Sequence, residues 1–253
     1  MTKIKSVDLS IVIPAYNEAE RLPGSLKKIR RFIGEIPFSS EVIVVVEESE
    51  DSTLELSRMV VKDDPRFKII DNKIRLGKGY AVRTGMLLAS ARHVFFMDTD
   101  LSTPLTDILV FLDYFSTHPE VQVLIGSRAH PKSRILQKQY LVRQNMGKIF
   151  NLLVHIFAIR GIKDTQCGFK SFRKEACREI FSRQKLNRFA FDVEVLVITK
   201  KLGYLIESLP VTWINSSESK VHMISDSLEM FRALFLIRRI VAKTFNEEKG
   251  VST

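Results

Sequence analysis

Two aspartates separated by one threonine, Asp98-Thr99-Asp100, are the residues of this sequence best suited to bind a metal ion. They directly follow the apolar run His93–Met97, which has the length and composition of a buried strand. Carboxylate oxygens suit Mg²⁺ or Mn²⁺, ions that commonly complete their coordination with phosphate oxygens and water. The alternative is structural, because acidic residues could also cap the helix after Pro104 or line a solvated loop. The position at a strand end favours the metal site.

Two basic segments could bind phosphate. Gly77-Lys78-Gly79 offers a flexible turn, a cation and the start of a helix, although it lacks the spacing of a Walker P-loop or a dinucleotide-binding fingerprint. A second tract lies further along the chain, and its arginine forks match phosphate oxygens. It contains Arg128, Lys132, Arg134, Lys138 and Arg143. An ordinary surface turn and a solvated cationic loop are the alternative interpretations of these two segments.

A second pair of acidic residues could act on an acceptor molecule. Asp192 or Glu194 could serve as a general base or orient the acceptor, although Asp192 could also cap a helix. The five histidines are scattered and do not support a catalytic triad. Cys167 is interpreted as a small packed side chain rather than a nucleophile. With Cys177 as the second of two cysteines, no disulfide framework is predicted, which suits a reducing compartment.

These residues need a scaffold that brings strand ends together, and the N-terminal half predicts one. The predicted strands are Leu9–Ile13, Glu41–Val46, Phe67–Asp71, His93–Met97 and Gln122–Gly126. Apolar residues at helical spacing predict the helices Leu22–Ile33, Ser52–Asp63, Lys78–Ala91 and Thr106–Ser116. This alternation predicts an α/β fold with a doubly wound, mostly parallel sheet flanked by helices. In such sheets ligands sit outside the carboxyl ends of the strands, where the polar residues described above lie.

The C-terminal half predicts mainly helices. The predicted elements are a helix over Leu141–Ile159, a loop over Asp164–Lys170, helices over Lys174–Phe181 and Asp192–Leu202, a strand over Ile206–Ile214 and a last helix over Asp226–Phe245. The last helix mixes apolar and basic residues, which is typical of an amphipathic helix. The whole chain, 1–253, is interpreted as a single α/β domain with a C-terminal helical addition.

Composition restricts the partners. The 253 residues carry a formal net charge of +10, which indicates anionic partners such as nucleic acid, phosphorylated ligands or an anionic membrane surface. No nucleic-acid-binding motif accompanies the charge, so nucleic acid is not expected. No stretch approaches the roughly 20 apolar residues of a spanning helix, and the chain is not expected to cross a membrane by itself. The apolar stretch Phe150–Ile159 could be an interfacial anchor or an ordinary core helix.

Several segments together resemble family 2 glycosyltransferases with the GT-A fold, and within them the dolichyl-phosphate β-glucosyltransferases. The resemblance runs from about Leu9 to Arg239. It is carried by SIVIPAYNE, IRLGKGYAVRTGM, VFFMDTDLSTP, VLIGSR, KDTQCGFKSF, FAFDVEVL and LPVTWINSSESKVHMISDSLEMF. It implies a Rossmann-like GT-A domain in which about residues 7–130 bind a nucleotide sugar and about residues 131–253 face the acceptor and a membrane.

The resemblance also implies roles for individual residues. The nucleotide-sugar site would contain Pro14, Ala15, Tyr16, Glu18, Glu48, Lys78 and Asp98. Asp100, together with Asp98, would hold Mg²⁺ or Mn²⁺ against the diphosphate, and Arg128 and Arg143 would bind the acceptor phosphate. The catalytic group would comprise Asp98, Asp100, Asp192 and Glu194. The segment Glu47–Asp51 departs from the family pattern, because relatives usually carry an Asp-Asp-Gly-Ser-type turn there.

The reaction that the resemblance implies is transfer of a sugar from a UDP-sugar, with UDP-glucose favoured, to a polyprenyl or dolichyl phosphate. The anomeric centre would be inverted. A GT-A enzyme acting on a glycan or small-molecule hydroxyl is one alternative, and a non-catalytic nucleotide- or membrane-binding module is another. The protein would lie peripherally at the cytoplasmic face of a membrane. It would reach the lipid through basic amphipathic helices or a membrane-protein partner.

Overall fold

A computed structural model describes residues 7–137, 153–154, 158–214 and 223–251 of the protein. For Gln137 and for residues 223–229 and 249–251, only the backbone is described. The predictions for Lys138, Arg143, residues 215–222 and most of the helix Leu141–Ile159 lie outside the described residues.

The strands form one large mixed sheet and one small sheet. They are β1 (Leu9–Ala15), β2 (Ser40–Glu47), β3 (Phe67–Asn72), β4 (His93–Met97), β5 (Val121–Ser127), β6 (Arg134–Gln137), β7 (Phe169–Arg173), β8 (Leu205–Pro210) and β9 (Thr212–Ile214). Within the described ranges, seven strands form the large sheet in the order β3-β2-β1-β4-β7-β5-β8, and β6 pairs with β9. β7 is antiparallel to both of its neighbours, whereas the other neighbouring pairs are parallel. The prediction of a mostly parallel α/β sheet is confirmed.

Helices cover both faces of the large sheet. They are α1 (Leu22–Glu35), α2 (Thr53–Val61), α3 (Lys78–Leu88), α4 (Asp107–Thr117), α5 (Lys174–Arg183), α6 (Phe191–Lys201) and α7 (Met223–Val251). Successive strand residues point to opposite faces. Val12 and Phe96 therefore join the core beneath α3, α5, α6 and α7, whereas Ile11 and Phe95 join the core beneath α1 and α4. Burial on both faces explains why β1, β2 and β4 are continuous apolar runs.

The elements of the N-terminal half match the predicted ones, with ends that agree within three residues. The C-terminal half corrects two predictions. The predicted loop Asp164–Lys170 ends in β7, which inserts antiparallel between β4 and β5. The predicted strand Ile206–Ile214 is two strands in different sheets, because β8 ends at Pro210 and β9 leaves it to pair with β6. Proline has no N–H to donate, so the ladder cannot continue unchanged through it.

The topology places chemically active residues on one edge of the large sheet. The carboxyl ends of β1, β2, β4 and β5 all reach this edge, because these strands are parallel to one another. β7 runs in the opposite direction, so its amino end, preceded by the loop 164–168, lies there too. The edge therefore combines strand ends from the N-terminal half with a loop from the C-terminal half.

Candidate active site

Asp98 lies at the carboxyl end of β4 and pairs with Lys78, the first residue of α3. Lys78 Nζ is 2.6 Å from Asp98 Oδ1, and the two side chains are 22% and 32% exposed. Burial disfavours the charged ammonium, but the carboxylates of Asp98, Asp192 and Asp100 outweigh this effect and raise the pKa of Lys78. Lys78 therefore stays protonated at neutral pH and supplies a cation at this edge.

Gly168, in the loop before β7, packs directly against Asp98. A Cβ at this position would lie 2.0 Å from Asp98 Oδ2 and 2.6 Å from Asp98 Cγ, far inside van der Waals contact. The pairing of Phe169 with Met97 across β7 and β4 sets this close approach. A side chain at Gly168 could be accommodated only if Asp98 moved.

Asp98 and Asp100 line a cleft at the end of β4, called the Asp100 cleft here. Its lining also includes Ser102, Thr103, Gly168 and Trp213. Asp100 Oδ1 accepts a hydrogen bond from Ser102 N at 2.9 Å. Leu101, between these two residues, has a φ of 49°, a left-handed conformation that non-glycine residues rarely adopt. The chain thus turns sharply around the Asp100 carboxylate.

The oxygen donors of the Asp100 cleft suit a small divalent cation. Asp98 and Asp100 are carboxylates, and Ser102 Oγ has no hydrogen-bond partner among the described residues. The described ranges contain no cluster of three or more His, Cys, Asp or Glu side chains that could enclose a metal. Mg²⁺ needs only one or two protein carboxylates when phosphate and water complete its coordination. The donor set therefore fits an ion that arrives with a phosphorylated ligand.

Lys170 and Asp192 form a buried ion pair beside this cleft. Lys170 is fully buried and Asp192 is 4% exposed. Lys170 Nζ also donates a hydrogen bond to Cys167 O at 2.8 Å and lies 5.1 Å from the ring centroid of Phe96. Because an unpaired buried charge is costly, each partner stabilises the other. Burial raises the pKa of the Cys167 thiol to about 12, which fits a packed side chain rather than a nucleophile.

Glu194, two residues after Asp192 on α6, accepts hydrogen bonds from backbone N–H groups. Its Oε1 and Oε2 accept hydrogen bonds from Lys185 N at 2.9 Å and Leu186 N at 2.8 Å. Burial raises the pKa of Glu194, and the two backbone donors oppose this only in part. Gln184 Nε2 ties the same loop to Gly79 O at 2.9 Å. Glu194 thus fixes the loop 184–190 against α6, and Gln184 holds the same loop against the start of α3.

Arg128, directly after β5, is held in a fixed orientation by Asp164. The Nε–Oδ2 and Nη2–Oδ1 distances are both 2.8 Å, and Arg128 N donates to Asp164 Oδ2 at 2.8 Å. Burial would raise the pKa of Asp164, but Arg128 outweighs it and holds that pKa below its usual range. Arg128 Cζ lies 4.9 Å from the ring centroid of Trp213. Arg128 Nη1 makes no hydrogen bond to the described residues, so a donor remains for a ligand.

Further residues of the predicted nucleotide site lie at the carboxyl end of β1 or just after it. Pro14 and Ala15 are the last two residues of β1, and both are buried. The guanidinium of Arg75 lies 4.0 Å from the ring centroid of Tyr16. Glu18 is buried and bound by Arg21, with Nε–Oε2 at 2.8 Å and Nη2–Oε1 at 2.7 Å.

The two glutamates after β2 behave differently. Glu47 is buried, and its Oε1 accepts hydrogen bonds from Leu76 N at 3.0 Å and Gly77 N at 2.7 Å. Gly77 has a φ of 111°, which glycine adopts without strain. Glu48 is exposed and lines a second cleft together with Asp71. Glu47 therefore positions the turn before Lys78, while Glu48 faces a ligand-accessible surface.

Comparison with known proteins identifies the family. The pattern described as Glycosyl transferase family 2 matches residues 10–181. The chain belongs to this family. The resemblance seen in the sequence segments is thereby confirmed.

Within family 2, curated relatives and solved structures add detail. A dolichyl-phosphate beta-glucosyltransferase from Drosophila melanogaster is 36% identical, over 92% of this chain and 74% of the relative. One from Dictyostelium discoideum is 33% identical, over 93% of this chain and 75% of the relative. A Mycobacterium tuberculosis glucosyl-3-phosphoglycerate synthase, solved with Mn²⁺, UDP-glucose and phosphoglyceric acid, has a TM-score of 0.69 at 16% identity and covers 92% of this chain and 79% of its own. This structural likeness confirms the GT-A fold.

The structure of this family 2 member brings most of the sequence-predicted residues to one sheet edge. Arg143 lies outside the described residues. Sequence reasoning missed Asp164, Gly168, Lys170 and Trp213 as parts of the site. The sequence predicts a loop over Asp164–Lys170, and this segment also carries part of the family resemblance, but neither observation assigns its residues a role in the site. Nothing in the sequence places Trp213 near Asp100.

Proposed function

We propose that this protein transfers glucose from UDP-glucose to a dolichyl or related polyprenyl phosphate. The observation that carries the proposal is the fixed guanidinium of Arg128 at the same sheet edge as Asp98 and Asp100. That edge offers acidic groups for a metal–diphosphate and a separate, oriented cation for a second phosphate. Relatives 33% to 36% identical to this chain are dolichyl-phosphate beta-glucosyltransferases, which supports the choice of sugar and acceptor.

Asp100 would be the main ligand of Mg²⁺ or Mn²⁺, with Asp98 and the donor diphosphate as neighbours. A cation bound there would offset the negative charge that develops on the departing nucleoside diphosphate. Lys78 would stabilise the same phosphates through its protonated ammonium. Because Lys78 is already positioned by Asp98, little reorganisation is needed during transfer.

The acceptor phosphate would be the nucleophile. One of its oxygens forms a bond to the anomeric carbon as the bond from that carbon to the UDP oxygen breaks, so a single in-line displacement inverts the anomeric centre. Such an acceptor is anionic at neutral pH and needs no strong base. The Lys170–Asp192 pair is consistent with this, because transfer of a proton to Asp192 would leave the buried Lys170 ammonium without its counter-charge. Asp192 and Glu194 would then position the site rather than exchange protons.

The remaining predicted contacts belong to the nucleotide. Tyr16 and Glu48 border exposed surface at the ends of β1 and β2, and they would contact the base and ribose together with Pro14 and Ala15. Glu18 would act indirectly, because Arg21 already binds both of its carboxylate oxygens. Residues 7–130 would thus form the nucleotide-sugar half of a single domain, and residues 131–253 the acceptor half.

The acceptor half would contact a membrane surface through α7. One face of α7 packs into the core through Leu234 and Ile237. The opposite face exposes Phe231, Phe235 and Leu236 among several arginines, an arrangement suited to an anionic interface. No described helix is both long and apolar enough to cross a membrane. We propose peripheral attachment at the cytoplasmic face, alone or with a membrane-protein partner. Sedimentation with anionic vesicles measures the attachment to a membrane surface.

A transfer assay tests the proposed function. Purified protein is incubated with Mg²⁺ or Mn²⁺, labelled UDP-glucose and a short polyprenyl phosphate in detergent. We expect label in the organic phase that is lost when EDTA is added. Absence of lipid-linked label with both metals, together with label on a glycan or small-molecule hydroxyl, would contradict the proposal.

Gly168→Ala should impair transfer while the protein remains folded. The added Cβ would overlap Asp98, so the carboxylate must leave its present position beside Lys78. We expect a fall in kcat of about tenfold or more, because displacements of about 1 Å at a reacting site can cost that much. Gly34→Ala is the matched control, because a Cβ there meets nothing within 4 Å. Equal kcat for the two variants would contradict the assigned role of the Gly168–Asp98 contact.

A further inference from the structure

Trp213 is the strongest unassigned feature of the Asp100 cleft. We propose that its indole N–H donates a hydrogen bond to the acceptor phosphate, next to the Arg128 guanidinium. Trp213 would then be an acceptor-binding residue that helps to select a phosphate over a hydroxyl. This inference rests on the proposed function and extends it to a residue to which the sequence analysis assigns no role.

The indole N–H of Trp213 is a buried hydrogen-bond donor. Trp213 is 8% exposed, and its Nε1 is buried without a hydrogen bond to any described residue. Buried indole N–H groups usually have an acceptor, since leaving one unpaired costs the full desolvation of the donor. Thr103 Oγ1, on the lining of the same cleft, is also buried and unpaired among the described residues. Thr103 and Trp213 both line this cleft, and a polar ligand that entered it would satisfy such buried groups.

The backbone on both sides of Trp213 is fixed. Thr212 N donates to Asp107 Oδ2 at 3.0 Å, at the start of α4. Ile214 N donates to Ser102 O at 2.8 Å, in the turn that follows Asp100. Trp213 is therefore attached to the same turn that carries the metal-binding carboxylate. Its side chain is 8% exposed and packs against the Arg128 guanidinium, so binding a ligand requires little further ordering.

The neighbouring charge selects the ligand class. The guanidinium of Arg128 lies over the face of the Trp213 ring, whereas the indole N–H lies in the ring plane, so the two donors do not compete for space. Guanidinium and indole groups can only donate hydrogen bonds. Their shared ligand must be an acceptor, and the charge of Arg128 favours an anion. A phosphate monoester meets both conditions, whereas an uncharged hydroxyl can accept a hydrogen bond but carries no net charge to pair with the guanidinium.

Trp213 also provides its own reporter, because it is the single tryptophan of the chain. Farnesyl phosphate should change the tryptophan emission of the wild type in a saturable way, and farnesol at the same concentration should not. Trp213→Phe keeps a ring beneath Arg128 but removes the N–H. By calorimetry we expect its dissociation constant for farnesyl phosphate to rise about tenfold or more, since hydrogen bonds to charged groups are among the stronger ones. The KM for UDP-glucose should stay unchanged.

Tyr114→Phe is the matched control, because it removes a polar atom from an aromatic ring on α4, outside the Asp100 cleft. Its affinity for farnesyl phosphate should equal that of the wild type. If wild type and Trp213→Phe transfer glucose with equal KM for farnesyl phosphate, the inference is wrong and the proposed function stands. If Trp213→Phe raises the KM for UDP-glucose and leaves the KM for farnesyl phosphate unchanged, the inference is also wrong and the proposed function stands. A wild type that neither binds farnesyl phosphate nor uses it as an acceptor overturns both.

Discussion

Asp100→Asn should lower kcat for glucosyl transfer by about a thousandfold, because a metal ion at a developing phosphate charge contributes several kcal/mol. Asparagine keeps the size of the side chain and one carbonyl oxygen, so the hydrogen bond from Ser102 N can persist. What it loses is the negative charge that would hold the cation. The melting temperature should therefore stay close to that of the wild type, and the activity loss would reflect the site alone.

The matched control is Asp113→Asn, an exposed aspartate on α4. It removes the same charge from the same protein, and we expect full activity. Raising the Mn²⁺ concentration should partly restore Asp100→Asn, since a weakened metal site responds to mass action. An Asp100→Asn variant with wild-type kcat and unchanged metal dependence would show that Asp100 is not the principal ligand.

The N-terminal half could be predicted closely from the sequence because its signals are local. Strands such as β2 and β4 are buried on both faces, so they appear as continuous apolar runs, and the helices between them keep helical spacing. The rule that ligands lie at the carboxyl ends of parallel strands then located Asp98, Asp100 and Arg128. Those positions needed no knowledge of tertiary packing.

The C-terminal half carried less local information. β7 has the sequence Phe-Lys-Ser-Phe-Arg, and its central position in the sheet buries Lys170, which a pattern of apolar residues cannot anticipate. Only the antiparallel insertion of β7 brings Gly168 to Asp98. Trp213 reaches the cleft because β9 departs from β8 after Pro210. These contacts depend on long-range pairing, and no spacing along the chain encodes them.

Lys170→Met should be the most destabilising single change at the site. Methionine fills a similar volume, but the Asp192 carboxylate, 4% exposed, loses its closest cation. Breaking a buried ion pair in this way costs about 3–5 kcal/mol. For a chain of this size the melting temperature should fall by about 10 °C. Lys243→Met is the control, because the Lys243–Glu247 pair is exposed and such pairs contribute about 0.5 kcal/mol or less.

The double variant Lys170→Met/Asp192→Asn separates the structural role of the pair from acid–base catalysis. It leaves no buried charge unpaired, so it should recover most of the stability that Lys170→Met loses. If the acceptor is a phosphate, the folded double variant should keep kcat within about tenfold of the wild type, because no proton has to be removed. If the acceptor is a hydroxyl and Asp192 is its base, kcat should fall by about 10²–10⁴-fold despite normal folding. Melting and transfer measured on the same preparation therefore decide between the two classes of acceptor, which Asp192→Asn alone cannot do because it leaves Lys170 buried without a counter-charge.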